Sequence, residues 1–195
     1  DLVGMKERDV EVILKSKMLE LGAENTWDRF IVASGERGAM PHGSASDKLI
    51  KNNEFVTFDI GCSYKGYTSD LTRTIAFGNP DPKLVEIYNV VYEAQVKAVK
   101  AAKAGMTGKE LDSICRDYIT EKGYGEFFKH GTGHGVGLDV HEGPRVSQTN
   151  PEPLNVGACI TVEPGIYISG LGGVRIEDDL ILTEDGAIIL NKFPK

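Results

Sequence analysis

Phe55-Val-Thr-Phe-Asp-Ile-Gly61 and Ala158-Cys-Ile-Thr-Val-Glu-Pro-Gly165 are the two stretches that decide the fold. Each is a short run rich in β-branched residues, which favour strands, and each carries one acidic residue just before a glycine or Pro-Gly. A second acid follows each run, Asp70 in the first case and Glu177 in the second. The two halves of the chain therefore share the order strand, acid, hairpin, acid.

The repeat extends upstream of both strands into a predicted helix. Gly4-Met5 recurs as Gly105-Met106, and the stretch after each pair has apolar residues at helical spacing. Each helical stretch ends at a glycine, Gly22 or Gly123, and glycine is the usual residue for a left-handed C-terminal cap. A duplicated α+β unit is the simplest interpretation of this pattern.

Two start signals mark helices in the second half. Asp81-Pro82 combines a cap residue with proline at the first helical position, and apolar residues at helical spacing follow it. Thr107 and Glu110 form a capping box at the start of the next helix. The first half has only three residues before Gly4. We therefore expect a single domain over residues 1–195 that lacks its first helix and is truncated at its N-terminus.

The spacing of the acids predicts two opposed pairs. If the first hairpin folds about Tyr64-Lys65, Asp59 lies directly opposite Asp70. Glu163 and Glu177 repeat this arrangement in the second hairpin. Directly opposed residues have Cβ atoms about 4.5–5.5 Å apart, and like charges at that separation are destabilising. Four carboxylates in a partly buried sheet therefore predict a bound cation.

The fifth candidate ligand is His134, which lies in the loop His130-Gly-Thr-Gly-His-Gly-Val-Gly137. A glycine-rich backbone can approach a bound group closely, but no Gly-Lys-Ser/Thr follows to indicate a phosphate loop. Carboxylates with one imidazole favour Mn²⁺, Co²⁺ or Fe²⁺, with Zn²⁺ as a further option. Five side chains suit two ions about 3.5–4 Å apart. The sequence therefore predicts a two-metal hydrolase site.

Composition argues against several other classes of protein. The net charge of −7 gives no basic face for nucleic acid and no attraction to anionic membranes. No apolar run approaches the roughly 20 residues of a spanning helix. The cysteines, Cys62, Cys115 and Cys159, have neither zinc-finger spacing nor the density of a disulfide scaffold. We expect reduced cysteines in a cytoplasmic protein that binds neither nucleic acid nor membranes.

At these residues the chain resembles the pita-bread metallopeptidases, the family of aminopeptidase P, Xaa-Pro dipeptidase (prolidase) and methionine aminopeptidase. The motifs that carry the resemblance are Phe58-Asp-Ile-Gly61, Ser69-Asp-Leu-Thr-Arg-Thr74, His130-Gly-Thr-Gly-His-Gly-Val-Gly-Leu-Asp-Val-His-Glu142, Val162-Glu-Pro-Gly165 and Gly172-Gly-Val-Arg-Ile-Glu-Asp-Asp179. The resemblance implies a duplicated α+β fold with a curved antiparallel sheet covered by helices. It also implies that residues 1–195 form a metallopeptidase catalytic domain without the upstream domain of its relatives.

The resemblance assigns a role to each predicted ligand. It makes Asp59 a chelating ligand of one ion, and it makes Asp70 and Glu177 bridges between two divalent ions, with Mn²⁺ as the first choice. His134 and Glu163 would complete the shell of the other ion. A metal-bridging hydroxide would attack the scissile carbonyl. Glu163 would carry the proton to the leaving nitrogen.

The resemblance also assigns catalytic or substrate-binding roles to the other three histidines. His42 resembles the family histidine that contacts the substrate near the leaving group. His141 resembles the one that hydrogen-bonds the tetrahedral intermediate, and His130 resembles the one near the carboxylate end of the substrate. For any one histidine taken alone, a structural role is the alternative.

Two further residues are candidates for the pocket. Arg175 lies two residues before Glu177, so on a strand the two side chains face the same side. Arg175 could bind a substrate carboxylate or orient an acid that holds metal, and the sequence leaves both open. Tyr167 lies four residues after Glu163 and could line the pocket, with a place in the core as its alternative.

The run ending in Val140-His-Glu142 and the run Gly173-Val-Arg-Ile-Glu177 resemble the proline-specific branch of the family. This resemblance implies hydrolysis of Xaa-Pro bonds in dipeptides or at peptide N-termini. The substrate would be a small peptide with proline at its second position, and a homodimer is suggested. The alternatives are a methionine aminopeptidase, a hydrolase without metal like creatinase, and a non-catalytic binding domain. Retention of all five ligand positions argues for catalysis.

Overall fold

The computed structural model describes residues 1–195, in which three α-helices are interspersed with antiparallel strands. The helices are α1 (Glu7–Glu20), α2 (Pro82–Ala101) and α3 (Gly108–Glu121), and two 3₁₀ turns cover Gly35–Ala39 and Gly125–Phe127. The strands are β1 (Asn25–Thr26), β2 (Ile31–Ser34), β3 (Glu54–Ile60), β4 (Cys62–Tyr64), β5 (Tyr67–Thr68), β6 (Leu71–Phe77), β7 (Gly133–Gly135), β8 (Glu142–Val146), β9 (Cys159–Val162), β10 (Gly165–Ile168), β11 (Gly172–Arg175), β12 (Asp178–Leu182) and β13 (Ala187–Ile189). The predicted α+β class is confirmed.

The strands form two main sheets, one from each half of the chain. The first has the order β2-β3-β6, and the second has the order β13-β12-β9-β7-β8. Two smaller sheets, β1-β4-β5 and β10-β11, extend them. Every ladder is antiparallel. Strands β6 and β12 therefore belong to different sheets, and the halves meet there without a continuous ladder.

Helices α1 and α3 are the equivalent helices of the repeat, and both end as predicted. Gly22 and Gly123 follow their last turns with φ of +102° and +86°. After the second glycine, the amide of Tyr124 donates to the carbonyl of Ile119 at 3.0 Å, and the first helix closes in the same way. This pattern is a Schellman cap, for which glycine has no steric penalty. The capping box of Thr107 is also present.

Helix α3 anchors the histidine loop through an acid and a base one turn apart. Asp112 Oδ1 accepts a hydrogen bond from the amide of Thr132 at 2.9 Å. Arg116 pairs with Asp112 and donates through Nη2 to the carbonyl of His130 at 2.7 Å. The backbone on which His130 and Thr132 lie is therefore fixed from the helix side.

Helix α1 anchors the corresponding loop of the first half with the same geometry. Glu11 Oε1 accepts from the amide of Phe30 at 2.8 Å, and Lys15 Nζ donates to the carbonyl of Asp28 at 2.7 Å. Lys15 also pairs with Glu11 one turn away. The loop around Phe30 is thus the repeat equivalent of the histidine loop, a relationship visible only once both loops are folded.

The first hairpin has a different register from the predicted one. Strand β3 pairs with β6 so that Asp59 lies opposite Thr72, not opposite Asp70. The hairpin turns at Lys65-Gly66, where φ is +51° and +78°. Positive φ at both central residues is typical of the two-residue turns that match strand twist. Because this turn lies one residue beyond Tyr64-Lys65, the pairing shifts by two residues, and an even shift keeps side chains on their predicted face.

The second hairpin has the predicted centre. Strands β10 and β11 pair about Gly170. Strands β9 and β12 continue the same register, with Val162 opposite Asp178. Glu163 and Glu177 lie next to this pair, between the two ladders. They are therefore opposite each other, as predicted.

The hydrophobic core consists of two clusters of unequal size. The larger contains 22 buried residues and lies between α2, α3 and strands β9 to β12. The smaller contains six and lies between α1 and the β2-β3 pair. Helix α2 begins at Pro82 as predicted, with Asp81 Oδ1 accepting from the amide of Lys83 at 2.7 Å. None of the three helices is both long and apolar enough to span a bilayer.

Candidate active site

A cavity of about 690 Å³ lies where the two halves of the chain meet. Of the site residues predicted from the sequence, all but one line this cavity: Asp59, Asp70, His134, Glu163, Glu177, His42, His130, His141 and Arg175. The exception is Tyr167, which is buried behind the wall and only 4% exposed. The fold thus brings together residues from six separate stretches of sequence.

Three of the predicted ligands surround His134. Its Nε2 atom lies 3.2 Å from Glu163 Oε1 and 3.6 Å from Asp70 Oδ2. Asp70, His134 and Glu177 each offer one ligand atom, and these atoms lie within 4.8 Å of one another. His134 Nδ1 lies 2.9 Å from the carbonyl oxygen of Gly135, which can only accept. The proton of a neutral imidazole is therefore held on Nδ1, and the Nε2 lone pair faces the acids.

Several carboxylate oxygens in this cluster are buried and have no hydrogen-bond partner: Asp59 Oδ1, Asp70 Oδ1, Glu177 Oε1 and Asp179 Oδ1. Buried polar atoms are almost always satisfied, and an unpaired buried carboxylate oxygen costs more than a neutral one. Oxygen donors with one imidazole nitrogen are a suitable set for a divalent cation of intermediate hardness. The residues present therefore fit a metal centre.

The electrostatics of the two central acids favour the same interpretation. Burial raises the pKa of the Asp70 carboxyl well above its usual range, and the charges of Asp59 and Glu163 raise it further. Burial likewise raises the pKa of Glu177 well above its usual range, with repulsion from Asp70 as the next cause. Without a cation, both groups favour the protonated form. A bound cation would supply the positive charge that their ionised forms lack.

Glu163 differs from Asp70 and Glu177 because the groups beside it lower its pKa, whereas theirs are raised. Burial opposes its ionisation, but the hydrogen bond from His134 and the charges of His130 and Arg175 outweigh burial and lower its pKa. For His134, burial opposes the charge, while the contact with Glu163 raises the pKa overall. Glu163 therefore stays ionised at neutral pH, as a proton acceptor must.

Arg175 connects a predicted ligand to a predicted substrate residue. Its Nη2 donates to Asp59 Oδ2 at 2.6 Å, and its Nη1 donates to the Tyr167 hydroxyl at 2.9 Å. That hydroxyl lies 2.8 Å from His130 Nε2. Burial raises the pKa of Tyr167 to about 12, so the phenol keeps its proton and donates it toward His130. The chain Arg175–Tyr167–His130 therefore fixes the ring of a cavity histidine from behind.

His42 lies in the cavity on a segment that is held on both sides. The carbonyl of Pro41 accepts from Arg175 Nη1 at 3.2 Å. The carbonyl of Ser44 accepts from Arg37 Nη2 at 2.6 Å. The position of His42 is therefore coupled to the same arginine that holds Asp59.

His141 lies beside the histidine loop, with its ring centroid 4.4 Å from that of His134. Burial lowers the pKa of His141, and the neighbouring charge of His134 lowers it further. The ring is therefore neutral near pH 7. A neutral imidazole offers one donor and one acceptor to a group in the cavity.

Two polar side chains beside the acids were missed from the sequence. Thr72 Oγ1 donates to Glu177 Oε2 at 2.7 Å, and Asp179 Oδ2 accepts from the amide of Asp70 at 3.2 Å. Both are buried, and burial raises the pKa of Asp179 to about 6. Each lies two residues after a predicted ligand, so the alternation of side chains along a strand could have indicated them.

Three residues of the cavity wall were also missed: Trp27, Arg29 and Arg145. The guanidinium groups of Arg29 and Arg145 make no ion pair or hydrogen bond within the chain, and both residues are exposed. The indole Nε1 of Trp27 is buried without a partner. No motif contains Arg29, and the equivalence of its loop to the histidine loop is seen only from the folded contacts of α1 with that loop.

In a comparison with known proteins, residues 2–184 match the family described as metallopeptidase family M24. The chain is 53% identical, over 189 residues, to a protein of Pyrococcus furiosus named Xaa-Pro dipeptidase. That match covers 97% of this chain and 54% of the relative. A protein of Pyrococcus horikoshii with the same name matches equally well. The chain spans about half the length of the curated relatives it matches.

Solved structures agree with these sequence matches. A structure described as Xaa-Pro dipeptidase from Bacillus anthracis superposes with a TM-score of 0.98 at 53% identity, covering 100% of this chain and 55% of that one. A structure of an X-Pro aminopeptidase from Thermotoga maritima gives 0.95 at 48% identity, covering 98% and 55%. The predicted fold class is thereby confirmed.

Proposed function

The chain belongs to metallopeptidase family M24, and on that premise we propose that it forms the metal-binding catalytic part of a peptidase that hydrolyses Xaa-Pro bonds. The observation that carries the proposal is the cluster of buried, unpartnered carboxylate oxygens around His134. Relatives named for Xaa-Pro hydrolysis, at 53% identity, support the choice of substrate class.

Five residues would hold the metal: Asp59, Asp70, His134, Glu163 and Glu177. The family uses divalent metal, and we propose two ions with Mn²⁺ as the first choice, while Co²⁺, Fe²⁺ and Zn²⁺ suit the same donors. When bound, such a pair of cations lowers the pKa of water and polarises a carbonyl oxygen. The unpaired oxygens of Asp59, Asp70 and Glu177 support this assignment.

The proton to be moved during hydrolysis has one well-placed acceptor. Glu163 is ionised because its contact with His134 lowers its pKa despite burial. We propose that Glu163 takes a proton from the attacking water and delivers it to the leaving nitrogen. In an Xaa-Pro bond that nitrogen belongs to the proline ring and lacks a hydrogen, so its protonation is required before it leaves.

The remaining polar side chains of the cavity would bind the substrate. His42 and His141 are proposed to contact the leaving group and the tetrahedral intermediate, and the neutral state of His141 allows it to donate. His130 is proposed to face the carboxylate end of the substrate, with Tyr167 orienting its ring. The role of Tyr167 is then indirect, because the phenol is buried behind the cavity wall.

For Arg175 we propose the orienting role of the two that the sequence left open. The residue is 3% exposed, and its guanidinium donors are already engaged by Asp59, Tyr167 and Thr72. A substrate carboxylate would have to displace the ion pair with Asp59. The unpaired arginines Arg29 and Arg145 offer a free carboxylate a cation without that cost, which favours short peptides such as dipeptides.

Metal-dependent kinetics would test this function. The protein is stripped with a chelator, reloaded with Mn²⁺ or Co²⁺, and offered Xaa-Pro, Xaa-Pro-Yaa and Met-Ala peptides. We expect cleavage of Xaa-Pro bonds that is lost on chelation. Cleavage of methionyl peptides alone would identify a methionine aminopeptidase, and activity that survives chelation would identify a creatinase-like hydrolase. Metal binding without any cleavage would identify a binding domain.

Assembly and location are also proposals. We propose a homodimer, which light scattering of the purified protein would test. A cytoplasmic location is proposed from the three cysteines, of which none is disulfide-bonded and one, Cys115, is buried. Fractionation of the source cells would test that location.

A further inference from the structure

Arg73 lies outside the cavity, yet it is buried and all of its N–H groups have acceptors. It belongs to the motif Ser69–Thr74, and no metal-binding role falls to it. An arginine carries five N–H donors in a fixed planar arrangement. Here they reach five oxygens. The Nε atom donates to the Pro194 carbonyl at 3.0 Å, and Nη1 donates to the Thr72 carbonyl at 2.9 Å and to the Glu177 carbonyl. The Nη2 atom donates to Asp178 Oδ1 and to the Phe193 carbonyl, both at 2.8 Å.

The partner of Arg73, Asp178, is also fully engaged. Its second oxygen, Oδ2, accepts from Gln95 Nε2 at 2.9 Å and lies 2.5 Å from Lys195 Nζ. Lys195 Nζ also donates to Gln95 Oε1 at 2.7 Å. Helix α2, strand β12 and the segment Phe193–Lys195 therefore meet at one buried carboxylate. A buried ion pair is stable only when its remaining donors and acceptors are satisfied, and this one meets that condition.

This network lies directly beside the proposed metal site. Arg73 follows Thr72, whose hydroxyl donates to Glu177 Oε2 at 2.7 Å and whose carbonyl accepts from the Glu177 amide at 3.1 Å. Asp178 follows Glu177. Because β6 and β12 share no ladder, Arg73 joins the strand that begins after Asp70 to the strand that begins after Glu177.

We propose that Arg73, Asp178 and the segment Phe193–Lys195 form a latch that sets the separation of Asp70 and Glu177, with Lys195 as the residue that closes it. These are positioning residues, since none of them lines the cavity. The inference rests on the proposed metal site. Residues that orient metal ligands from outside typically change metal affinity or activity 10–100-fold when they are mutated.

The latch is tested by Mn²⁺ binding to the metal-free protein, measured by calorimetry. Lys195→Met removes the closing cation, and Lys192→Met is the matched control, because Lys192 is exposed and makes no ion pair or hydrogen bond. We expect Lys195→Met to bind Mn²⁺ about tenfold more weakly in at least one site. Lys192→Met should bind like the parent chain. Lys195→Arg, which keeps the charge, should recover most of the affinity.

A merely structural role would give a different result. Urea unfolding of the metal-free variants would then show a loss of stability for Lys195→Met, while the Mn²⁺ affinity of the folded protein stayed equal to that of Lys192→Met. That outcome would overturn the latch. Arg73→Lys is the second variant, since lysine cannot replace five fixed donors, and it should weaken Mn²⁺ binding more than Lys195→Met does. Failure of the parent chain to bind Mn²⁺ would instead overturn the proposed metal site itself.

Discussion

His134 Nε2 and Glu163 Oε1 lie 3.2 Å apart at the centre of the cavity, joining the histidine loop to the start of the second hairpin. Since Nδ1 faces the Gly135 carbonyl, a neutral His134 would present a lone pair to a carboxylate. Such a contact needs a positive charge between the two atoms. In the metal-free protein that charge is a proton, which explains why the pKa of His134 is raised despite burial, and a cation would replace it.

We predict that the metal-free protein loses stability as the pH rises. Burial and mutual repulsion raise the folded-state pKa values of Asp70 and Glu177 above their unfolded values, so above about pH 4 the unfolded chain binds fewer protons. His134, whose pKa is raised by Glu163 against burial, contributes stability below about pH 6.5 that is lost as the pH rises through its folded pKa.

Urea unfolding with chelator present would measure this effect. The free energy of unfolding should be lower at about pH 8 than at about pH 5 by at least about 1.4 kcal/mol, the equivalent of one pKa unit. Three lowered pKa values act in the opposite direction: that of Glu163 only as the pH falls below the ordinary range of a glutamate, and those of His130 and His141 below about pH 6.5. The two carboxyl groups whose pKa values lie well above their usual range, together with His134, should outweigh these two histidines. Saturating Mn²⁺ should reverse the trend, because metal binding requires the deprotonated ligands. A metal-free protein that is equally stable at both pH values would contradict the prediction.

Glu177→Gln should weaken Mn²⁺ binding while it stabilises the metal-free protein. The amide oxygen can still accept from Thr72, but the charge that repels Asp70 is gone. We expect the metal-free variant to be more stable than the parent chain at about pH 8, while Mn²⁺ binding weakens by more than about 100-fold, the upper end for residues that act from outside the ligand shell. Glu184→Gln, at an exposed residue without a partner, is the control and should change neither quantity. Calorimetry and urea unfolding give the two readouts.

The sequence predicted the order of elements because each signal was local. The capping box at Thr107, the Asp81-Pro82 start and the two terminal glycines each act within one turn of a helix, so no tertiary information was needed. The second hairpin was also placed correctly, since its strands turn symmetrically about Gly170. The internal repeat then indicated that the acids occupy equivalent positions in the two halves.

The register of the first hairpin and two residues of the cavity wall were not predicted, because neither depends on a periodic pattern in the sequence. The register of the first hairpin depended on which residue took the first left-handed position, and Lys65 did so instead of Tyr64. Trp27 and Arg29 reach the cavity only because α1 anchors their loop as α3 anchors the histidine loop. Such a relationship requires the folded positions of both helices, which spacing along one sequence does not provide.

Arg175→Lys should show whether this residue orients a ligand or binds substrate. A lysine cannot reach both Asp59 and Tyr167, so we expect activity to fall about 10–100-fold through kcat and metal affinity. The mutation should raise the KM for a free dipeptide by no larger a factor than it raises the KM for the same dipeptide with an amidated C-terminus. Steady-state kinetics on both substrates gives the answer. A KM increase confined to the free dipeptide would mean that Arg175 binds the substrate carboxylate.

The repeat offers a matched pair of variants that tests how the histidine loop is held. Asp112→Asn removes the charge that pairs with Arg116, and Glu11→Gln removes its counterpart in α1. Asp112 is fully buried, so its loss should destabilise the protein by about 3–5 kcal/mol, whereas Glu11 is partly exposed and should cost less.

The two variants should differ more clearly in Mn²⁺ affinity than in stability. The amide of Glu163 donates to the Thr132 carbonyl at 2.7 Å, so the loop held by Asp112 also supports the proposed proton acceptor. We therefore expect folded Asp112→Asn to bind Mn²⁺ about tenfold more weakly. Glu11→Gln should retain parental affinity, because its loop carries Arg29 and no proposed ligand. If calorimetry gave the two variants equal Mn²⁺ affinities, the histidine loop would keep its geometry without the Asp112 charge. The contact that the two halves share would then serve folding only.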